Sequence, residues 1–324
     1  MNQLFESHGY DPSQNLAIEE ALLLSQPASP ALFLWQNAHT VVIGCSQNTW
    51  KECRTALLEQ EGGRLVRRST GGGAVYHDLG NLNFSFVMPK GVYDVPRQLQ
   101  VIRSAVSAFG IETVSSGRND IVLRESGAKF SGNAFRITQH AGLHHGTILM
   151  DVDIAKLGRY LAPSPEKLKS KGVESVRARV GNLKDSAPSI TIDLLKEAVR
   201  NAFISQYGPS EKLAWEDALD PARIDMLREK YRSWDWTYGR TPRFDITMSQ
   251  RFPWGQVELL LSLKDGRVTG AQCYTDAMDT DLAQRVSGLL TGSVFTASAL
   301  AGCFESSTAA QDMDLARWLS QQAL

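Results

Sequence analysis

The sequence is poor in cysteine: Cys45, Cys53, Cys273 and Cys303 are the only four, and no two form a Cys-x-x-Cys pair. That excludes the disulfide density of a small secreted scaffold and suits free thiols in a reducing compartment. An excess of either charge is also missing, with 34 Lys and Arg against 35 Asp and Glu and a net charge of -1. No global field draws such a chain to nucleic acid or to an acidic membrane, so any anion site has to be local. No run approaches the roughly 18 uncharged apolar residues of a membrane span, and Met1 to Glu6 lacks the basic-then-apolar order of a secretory leader. A cytoplasmic protein with neither a membrane nor a nucleic-acid partner is expected.

What the chain does have is size and apolar content. With 324 residues, 43% of them hydrophobic, it exceeds one average domain and can bury a real core. A boundary is expected near Gly239-Arg240-Thr241-Pro242, dividing residues 1–241 from 242–324. Asp11-Pro12 predicts a helix running to about Ser25, with Asp11 as cap and Pro12 in the first turn. Ala31 to Trp35 and Thr40 to Gly44 read as strands, and Lys51 to Gln60 as a helix. Residues 64–88 alternate around a glycine cluster, with Asn83 to Val87 the plainest strand. A helix over Val101 to Phe109, strands over Asp120 to Arg124, Lys129 to Ile137 and Leu143 to Val152, and helices near Ile154 to Leu161 and Ile192 to Gln206 follow. The basic interval Ala162 to Asp185 has little apolar periodicity; it is either a lid or a solvated surface loop. Beyond the boundary, strands over Phe244 to Met248, Gln256 to Lys264 and Arg267 to Tyr274 are expected, the last two joined by an Asp265-Gly266 hairpin turn, with helices after them. The fold class expected is α+β: a large mixed or antiparallel sheet plus a small α+β C-terminal domain.

The segment Arg67-Arg68-Ser69-Thr70-Gly71-Gly72-Gly73-Ala74-Val75-Tyr76-His77 is the most informative. Three successive glycines lose much backbone entropy on folding and need a reason, such as positive φ or a ligand approaching the backbone. Beside two arginines, such a loop can cradle a phosphate or carboxylate; a glycine-rich hairpin with surface arginines is the other reading. It is neither a P-loop nor a dinucleotide fingerprint, since no Lys-Ser or Lys-Thr follows and no GxGxxG opens a helix. In Lys129-Phe130-Ser131-Gly132-Asn133-Ala134, alternation puts Lys129, Ser131 and Asn133 on one strand face. Lys129 there is either a phosphate-stabilising cation or an ordinary surface lysine. Gly117-Arg118-Asn119-Asp120 can offer Asn119 and Asp120 oxygens to a magnesium ion, or form an Asx turn. His144-His145-Gly146-Thr147 lacks the spacing of a zinc motif, so hydrogen-bonded strand histidines are expected and no zinc.

Taken in order, Arg67 to Asn81, Gly117 to Asp120, Lys129 to Ala134 and His144 to Thr147 resemble the lipoate–protein ligase A family. The likeness extends from Tyr10-Asp11-Pro12 through Ser175 to Leu183, and Arg251-Phe252-Pro253-Trp254-Gly255 with its strands resembles that family's small C-terminal domain. The resemblance implies a large domain of the biotin/lipoate ligase type that converts lipoate and magnesium ATP to lipoyl-AMP, then passes the lipoyl group to an acceptor lysine. The acceptors it implies are lipoyl domains of 2-oxoacid dehydrogenase E2 subunits and the glycine cleavage H protein. Arg68, Gly71, Gly72, Gly73, Ala74, Val75, Tyr76, His77, Asn119 and Lys129 would hold nucleotide and acyl group, with Lys129, Arg68 and Asp120 catalytic and Asp120 on the magnesium. Residues 169–183 would cover the adenylate, and Gly239 to Pro242 would be a hinge. For the apolar tail of lipoate, Leu16, Ile18, Trp35 and Val75 are candidates, with core packing the alternative for each. The rivals are an ATP-independent octanoyl or lipoyl transferase with a cysteine nucleophile, a biotin ligase, and a non-catalytic acyl- or nucleotide-binding module.

Overall fold

The computed structural model describes residues 1–117, 119–161, 180–238, 246–264 and 266–322. Contacts divide the chain into two units. Met1–Ile43, Thr49–Ser69 and Ala74–Thr237 form the first; Gly44–Asn48, Thr70–Gly73 and Tyr238–Leu324 form the second.

An eight-stranded sheet is the frame of the first unit. It uses β1 (Asn2–Glu6), β2 (Ala31–Trp35), β6 (Asn81–Pro89), β7 (Thr113–Ser116), β8 (Asp120–Leu123), β9 (Lys129–Ile137), β10 (Ala141–Leu149) and β11 (Ser210–Lys212). Their order is β11-β1-β2-β6-β10-β9-β8-β7. β1 runs parallel to β11 and β2, and the remaining pairs are antiparallel, so the sheet is mixed as expected. A second, three-stranded sheet places β3 (Thr40–Ile43) between β4 (Arg64–Arg67) and β5 (Val75–His77).

Several helix starts in the first unit share one device, an aspartate cap. The Asp11 carboxylate accepts from Ser13 N and opens α1 (Pro12–Leu24) with a proline in its first turn, as the sequence predicts. Asp94 does the same for Arg97 N and starts α2 (Val95–Ser107) well before Val101. The helix expected over 51–60 is broken into Thr49–Glu52 and Thr55–Gln60, because Cys53 bridges to Leu161 and Arg54 N donates to Tyr160 O at 2.9 Å. After α3 (Ile154–Tyr160) and α4 (Ile192–Tyr207), Asp220 caps α5 (Pro221–Arg232), a helix absent from the sequence reading.

Helices α2 and α4 cover one face of the large sheet around Phe84, Phe86, Ile121, Phe130 and Phe203. On the other face, α1 and α5 enclose Leu16, Ile18, Phe33, Trp35 and Tyr231. Each such buried side chain contributes roughly 1.5–3 kcal/mol, so these two layers fix the large-sheet strands that carry Asp120 and Lys129.

The second unit contains an antiparallel meander, β12 (Ile246–Phe252), β13 (Gly255–Lys264) and β14 (Arg267–Thr275), with α6 (Leu282–Leu290) and α7 (Ala310–Ser320) closing a core of Leu259, Leu261, Val268, Val286 and Leu315. Lys264 pairs with Arg267 and Gly266 has φ of 71°, the geometry of the expected two-residue turn. Asp265, the hinge expected at Gly239 to Pro242, Arg118, and the basic interval up to residue 179 lie outside the described residues.

Candidate functional site

The structure brings Asn119, Asp120 and Lys129 together. Lys129 Nζ lies 2.7 Å from Asp120 Oδ1 on the neighbouring strand, and both side chains keep about a third of their surface exposed, at 31% and 36%. Simple alternation along β9 does not produce this pair. The β8–β9 register slips, with Val122 opposite Lys129 but Ile121 opposite Ser131, so Phe130 is the extra residue of a β-bulge. The bulge breaks the expected common face of Lys129, Ser131 and Asn133. Asn133 bonds inward to His144, whereas the Lys129 ammonium sits where a Cβ on Gly132 would meet it at 2.8 Å. The described end of the basic interval reaches the same strand, since Gly181 N donates to Lys129 O at 3.0 Å.

Asn119 is held by its neighbour across the sheet. Its Nδ2 donates to Asn133 O at 2.6 Å, while Asn133 N and Nδ2 both donate to Asn119 O at 2.9 Å. The amide nitrogen of Asn119 is therefore committed, and its oxygen is the atom it can offer a ligand. A carboxylate on Asp120 beside an amide oxygen on Asn119 is the hard-donor chemistry that a phosphate-bound magnesium accepts. Among the described residues, no group of three or more His, Cys, Asp or Glu is gathered to hold a metal ion.

Arg67 ends β4 and Arg68 follows it, and both are buried. Arg67 is committed to structure: Nε donates to Trp236 O at 2.9 Å and Nη2 to Thr49 Oγ1 and Thr237 O, while Trp236 Nε1 returns a bond to Arg67 O. Arg68 donates through Nη1 to Val42 O. Burial, and then the charges of Arg68 and His145, push His77 down to about 3, so its imidazole is neutral at physiological pH. Asn37 Oδ1 accepts from Asn15, so Asn37 Nδ2 faces His77 Nδ1 as a donor at 3.3 Å. The His77 proton therefore sits on Nε2, a buried donor with no hydrogen-bond partner among the described residues. That is how His77 can serve a ligand. Ala74 and Val75 pack partly buried against two core clusters, and burial raises the Tyr76 hydroxyl.

The three glycines belong to the second unit, and each obeys a different constraint. A Cβ on Gly71 would lie 2.4 Å from Ala277 O, Gly72 has φ of 88° and donates to Ala277 O at 3.2 Å, and Gly73 has neither obstacle, with nothing within 4 Å of its Cβ position. The fold thus divides the expected cradle, with Arg68 and Ala74 to His77 in one unit and Gly71 to Gly73 in the other.

His144 and His145 are hydrogen-bonded strand histidines, as expected, but the polar cluster that His145 joins beneath the sheet was not foreseen. Trp35 Nε1 donates to Ser85 Oγ at 2.9 Å, Ser85 Oγ to Glu19 Oε1 at 2.5 Å, and His145 Nδ1 lies 2.7 Å from the same Glu19 oxygen. Trp35 also stands edge-on to His77, their ring centroids 6.3 Å apart. The available signal was Glu19-Glu20 inside an otherwise apolar run: α1 buries both charges, and buried charges require partners. Leu16 and Ile18 are fully enclosed core residues.

Comparison with known proteins accounts for this assembly. Residues 11–204, well over half of the chain, match the lipoyl protein ligase A/B catalytic domain, and residues 241–318 match the bacterial lipoate protein ligase C-terminus. The structure of Plasmodium falciparum LipL1 in complex with lipoate superimposes with a TM-score of 0.88 at 26% identity, covering 99% of this chain and 100% of that one. A bipartite lipoate protein ligase from Thermoplasma acidophilum, solved in a study with its E2 lipoyl domain, gives 0.64 at 26% identity over 76% of this chain and 98% of that one. A lipoate-protein ligase A bound with ATP gives 0.61 at 26% identity over 74% and 98%. No described helix is long and apolar enough to cross a membrane. By its catalytic segment, its C-terminal segment and its fold, the chain belongs to the lipoyl protein ligase A/B family and is an enzyme of the ligase type.

Proposed function

We propose that this chain activates lipoate with ATP as lipoyl-AMP and then transfers the lipoyl group to a lysine of a lipoyl acceptor domain, such as those of 2-oxoacid dehydrogenase E2 subunits or the glycine cleavage H protein. The observation that carries this reading is the one-third-exposed Lys129–Asp120 pair at 2.7 Å, held beside the fixed Asn119. In the first half-reaction a lipoate carboxylate oxygen attacks the α-phosphorus and the bond to pyrophosphate breaks. In the second, the acceptor amine attacks the acyl carbon, an amide forms and AMP leaves. No protein nucleophile is required.

Catalysis is then positioning plus electrostatics. Lys129 offsets charge on the α-phosphate and acyl oxygens, and Arg68 adds a second fixed cation. His77 supplies its Nε2 proton to a ligand acceptor, and Gly71 to Tyr76 provide backbone contacts to the acyl phosphate. Asp120 and Asn119 would hold the magnesium that accompanies ATP; when bound, that ion draws charge from the phosphates. An acceptor lysine is neutral about once in 2,500 molecules at pH 7, so it must lose a proton on docking, and Asp120 is the carboxylate we assign to take it. We assign adenylate formation to residues 1–241 and treat residues 242–324 as an accessory domain.

Three of the four thiols weigh against the transferase alternative, and the partly exposed Cys45 is left to experiment. Burial pushes both Cys53 and Cys273 up to about 12, so neither is a thiolate at neutral pH, and Cys303 Sγ donates to Ala299 O within its own helical segment. The test is incubation of the protein with free lipoate and magnesium ATP, scored by pyrophosphate release and by the mass of retained lipoyl-AMP. Release that depends on lipoate is expected; acyl transfer from a carrier without ATP, and no pyrophosphate from the free acid, would replace this reading by the transferase one.

A further inference from the structure

A buried chain of hydrogen bonds runs from helix α2 to Asn119, the residue before Asp120. Gln98 Oε1 lies 2.9 Å from His144 Nδ1, and His144 Nε2 lies 2.9 Å from Asn133 Oδ1. Asn133 Nδ2 then donates to Asn119 O at 2.9 Å, next to Asp120. Gln98 and His144 are fully buried and Asn133 nearly so. The His144 ring is held between Phe84, Phe86 and Phe135, with centroid distances of 5.7, 5.7 and 4.7 Å. Gly146 makes the space, since a Cβ there would lie 2.5 Å from Asn133 Oδ1.

Proton bookkeeping along this chain has one solution. Burial, and next the charge of the adjacent His145, push His144 down to about 3, so the ring is neutral and has one donor and one acceptor. Asn133 has spent its Nδ2 on Asn119 O and faces Ser131 Oγ at 3.5 Å, so it presents oxygen to His144. The His144 proton is therefore on Nε2. Nδ1 must accept, yet its neighbour is the oxygen of Gln98, while Gln98 Nε2 is buried with no partner. A half-turn of the Gln98 amide resolves both facts at once, giving Nδ1 a donor.

We propose that His144, carrying its proton on Nε2 and accepting from Gln98 on Nδ1, is a positioning residue that sets Asn119, and through it the Asp120–Lys129 pair, by fixing the Asn133 amide. With the proton on Nδ1 instead, Nε2 would accept, the Asn133 amide would turn its nitrogen to the ring, and its oxygen would face the Asn119 carbonyl. The clamp on Asn119 would lose its side-chain bond and keep only the two bonds that use the Asn133 backbone. This inference rests on the reading of that pair as the reacting centre.

Two measurements test it on the full chain. The first is nitrogen NMR of protein labelled at histidine, with the His144 signals assigned by their loss in His144→Gln. A protonated Nε2 and unprotonated Nδ1 at neutral pH are expected; a proton on Nδ1, or on both, overturns the assignment whatever the enzyme's reaction. The second is lipoate-dependent pyrophosphate release. His144→Phe leaves the Asn133 oxygen without its donor and should lower kcat/KM about tenfold, whereas His144→Gln, which can donate to Asn133, should stay within about threefold of the parent. In an Asn133→Ala background His144→Phe should cost nothing more. Equal losses in both backgrounds, or Gln as poor as Phe, would show a general packing role and sink the proposal. A parent that releases no pyrophosphate overturns the functional reading, and the NMR result then judges the relay alone.

Discussion

Lys129 Nζ reaches Asp120 Oδ1 at 2.7 Å only because Phe130 is an extra residue between them and the ladder. The pair is thus built by a bulge, a feature that re-aims a side chain at the cost of one unpaired residue. Lys129→Ala should reduce adenylate formation by about 10²–10³ with little change in thermal stability, because its ammonium is partly solvated. Parental rates of lipoylation in that variant would place the centre elsewhere.

Asp120→Asn separates the two half-reactions. Transfer from preformed lipoyl-AMP should slow and change its pH profile, because no carboxylate remains there to take the acceptor proton. A profile identical to the parent's, measured with an acceptor domain in excess, would remove the aspartate from that step.

The glycine run yields opposite expectations at neighbouring positions. Gly71→Ala should destabilise the second unit, since its Cβ would overlap Ala277 O. Gly73→Ala meets no such obstacle and should keep the parental Tm while weakening ATP-dependent activity, if its backbone approaches the ligand. Unchanged activity in a stable Gly73→Ala protein would deny that role.

Glu20 predicts acid sensitivity. Burial works to raise its pKa, but bonds from Lys230, Arg136 and Tyr231 outweigh it, and the net shift is downward. A carboxylate lowered by folding contributes stability that is present above its unfolded pKa and lost as pH falls through the folded one. Loss should therefore begin near the unfolded value of about 4.3 and deepen below it. Glu6 and Asp11 are lowered as well, by Lys196 and Arg200 and by Arg232 and Arg64, again against the opposing effect of burial. Glu20→Gln should cost about 3 kcal/mol at pH 7 by stranding Arg136 and Lys230, and should flatten the acid limb of a Tm–pH curve.

The cysteines give a simpler check. Pyrophosphate release should survive Cys53→Ala and Cys45→Ser within about twofold, since the proposed chemistry forms no thioester. A hundredfold loss in either variant with the fold intact would show that a thiol takes part in the reaction.

How far the sequence could be read follows from where each signal is stored. The α1 start was legible because Asp11-Pro12 stands directly before an apolar run; Asp220-Pro221 uses the same cap, but its helix is rich in exposed charge and lacks that run. The strands carrying Asp120 and Lys129 were visible from their composition, whereas the bulge was not, because it exists only in the register with a partner strand. β11 reads Ser-Glu-Lys, too short and polar to announce an edge strand. The Glu19, Ser85 and His145 contacts join residues far apart in the chain, a relation that no local pattern carries.

Lys230 and Tyr231 lie outside the segment that matches the catalytic domain, yet they hold the Glu20 carboxylate inside it. The edge strand Ser210–Lys212 also lies beyond residue 204. A fragment cut at that match would keep the residues proposed for the reaction while losing both β1 and β11, baring the flank of β2 and leaving a buried acid with two partners fewer. The portion that folds is longer than the portion that defines kinship.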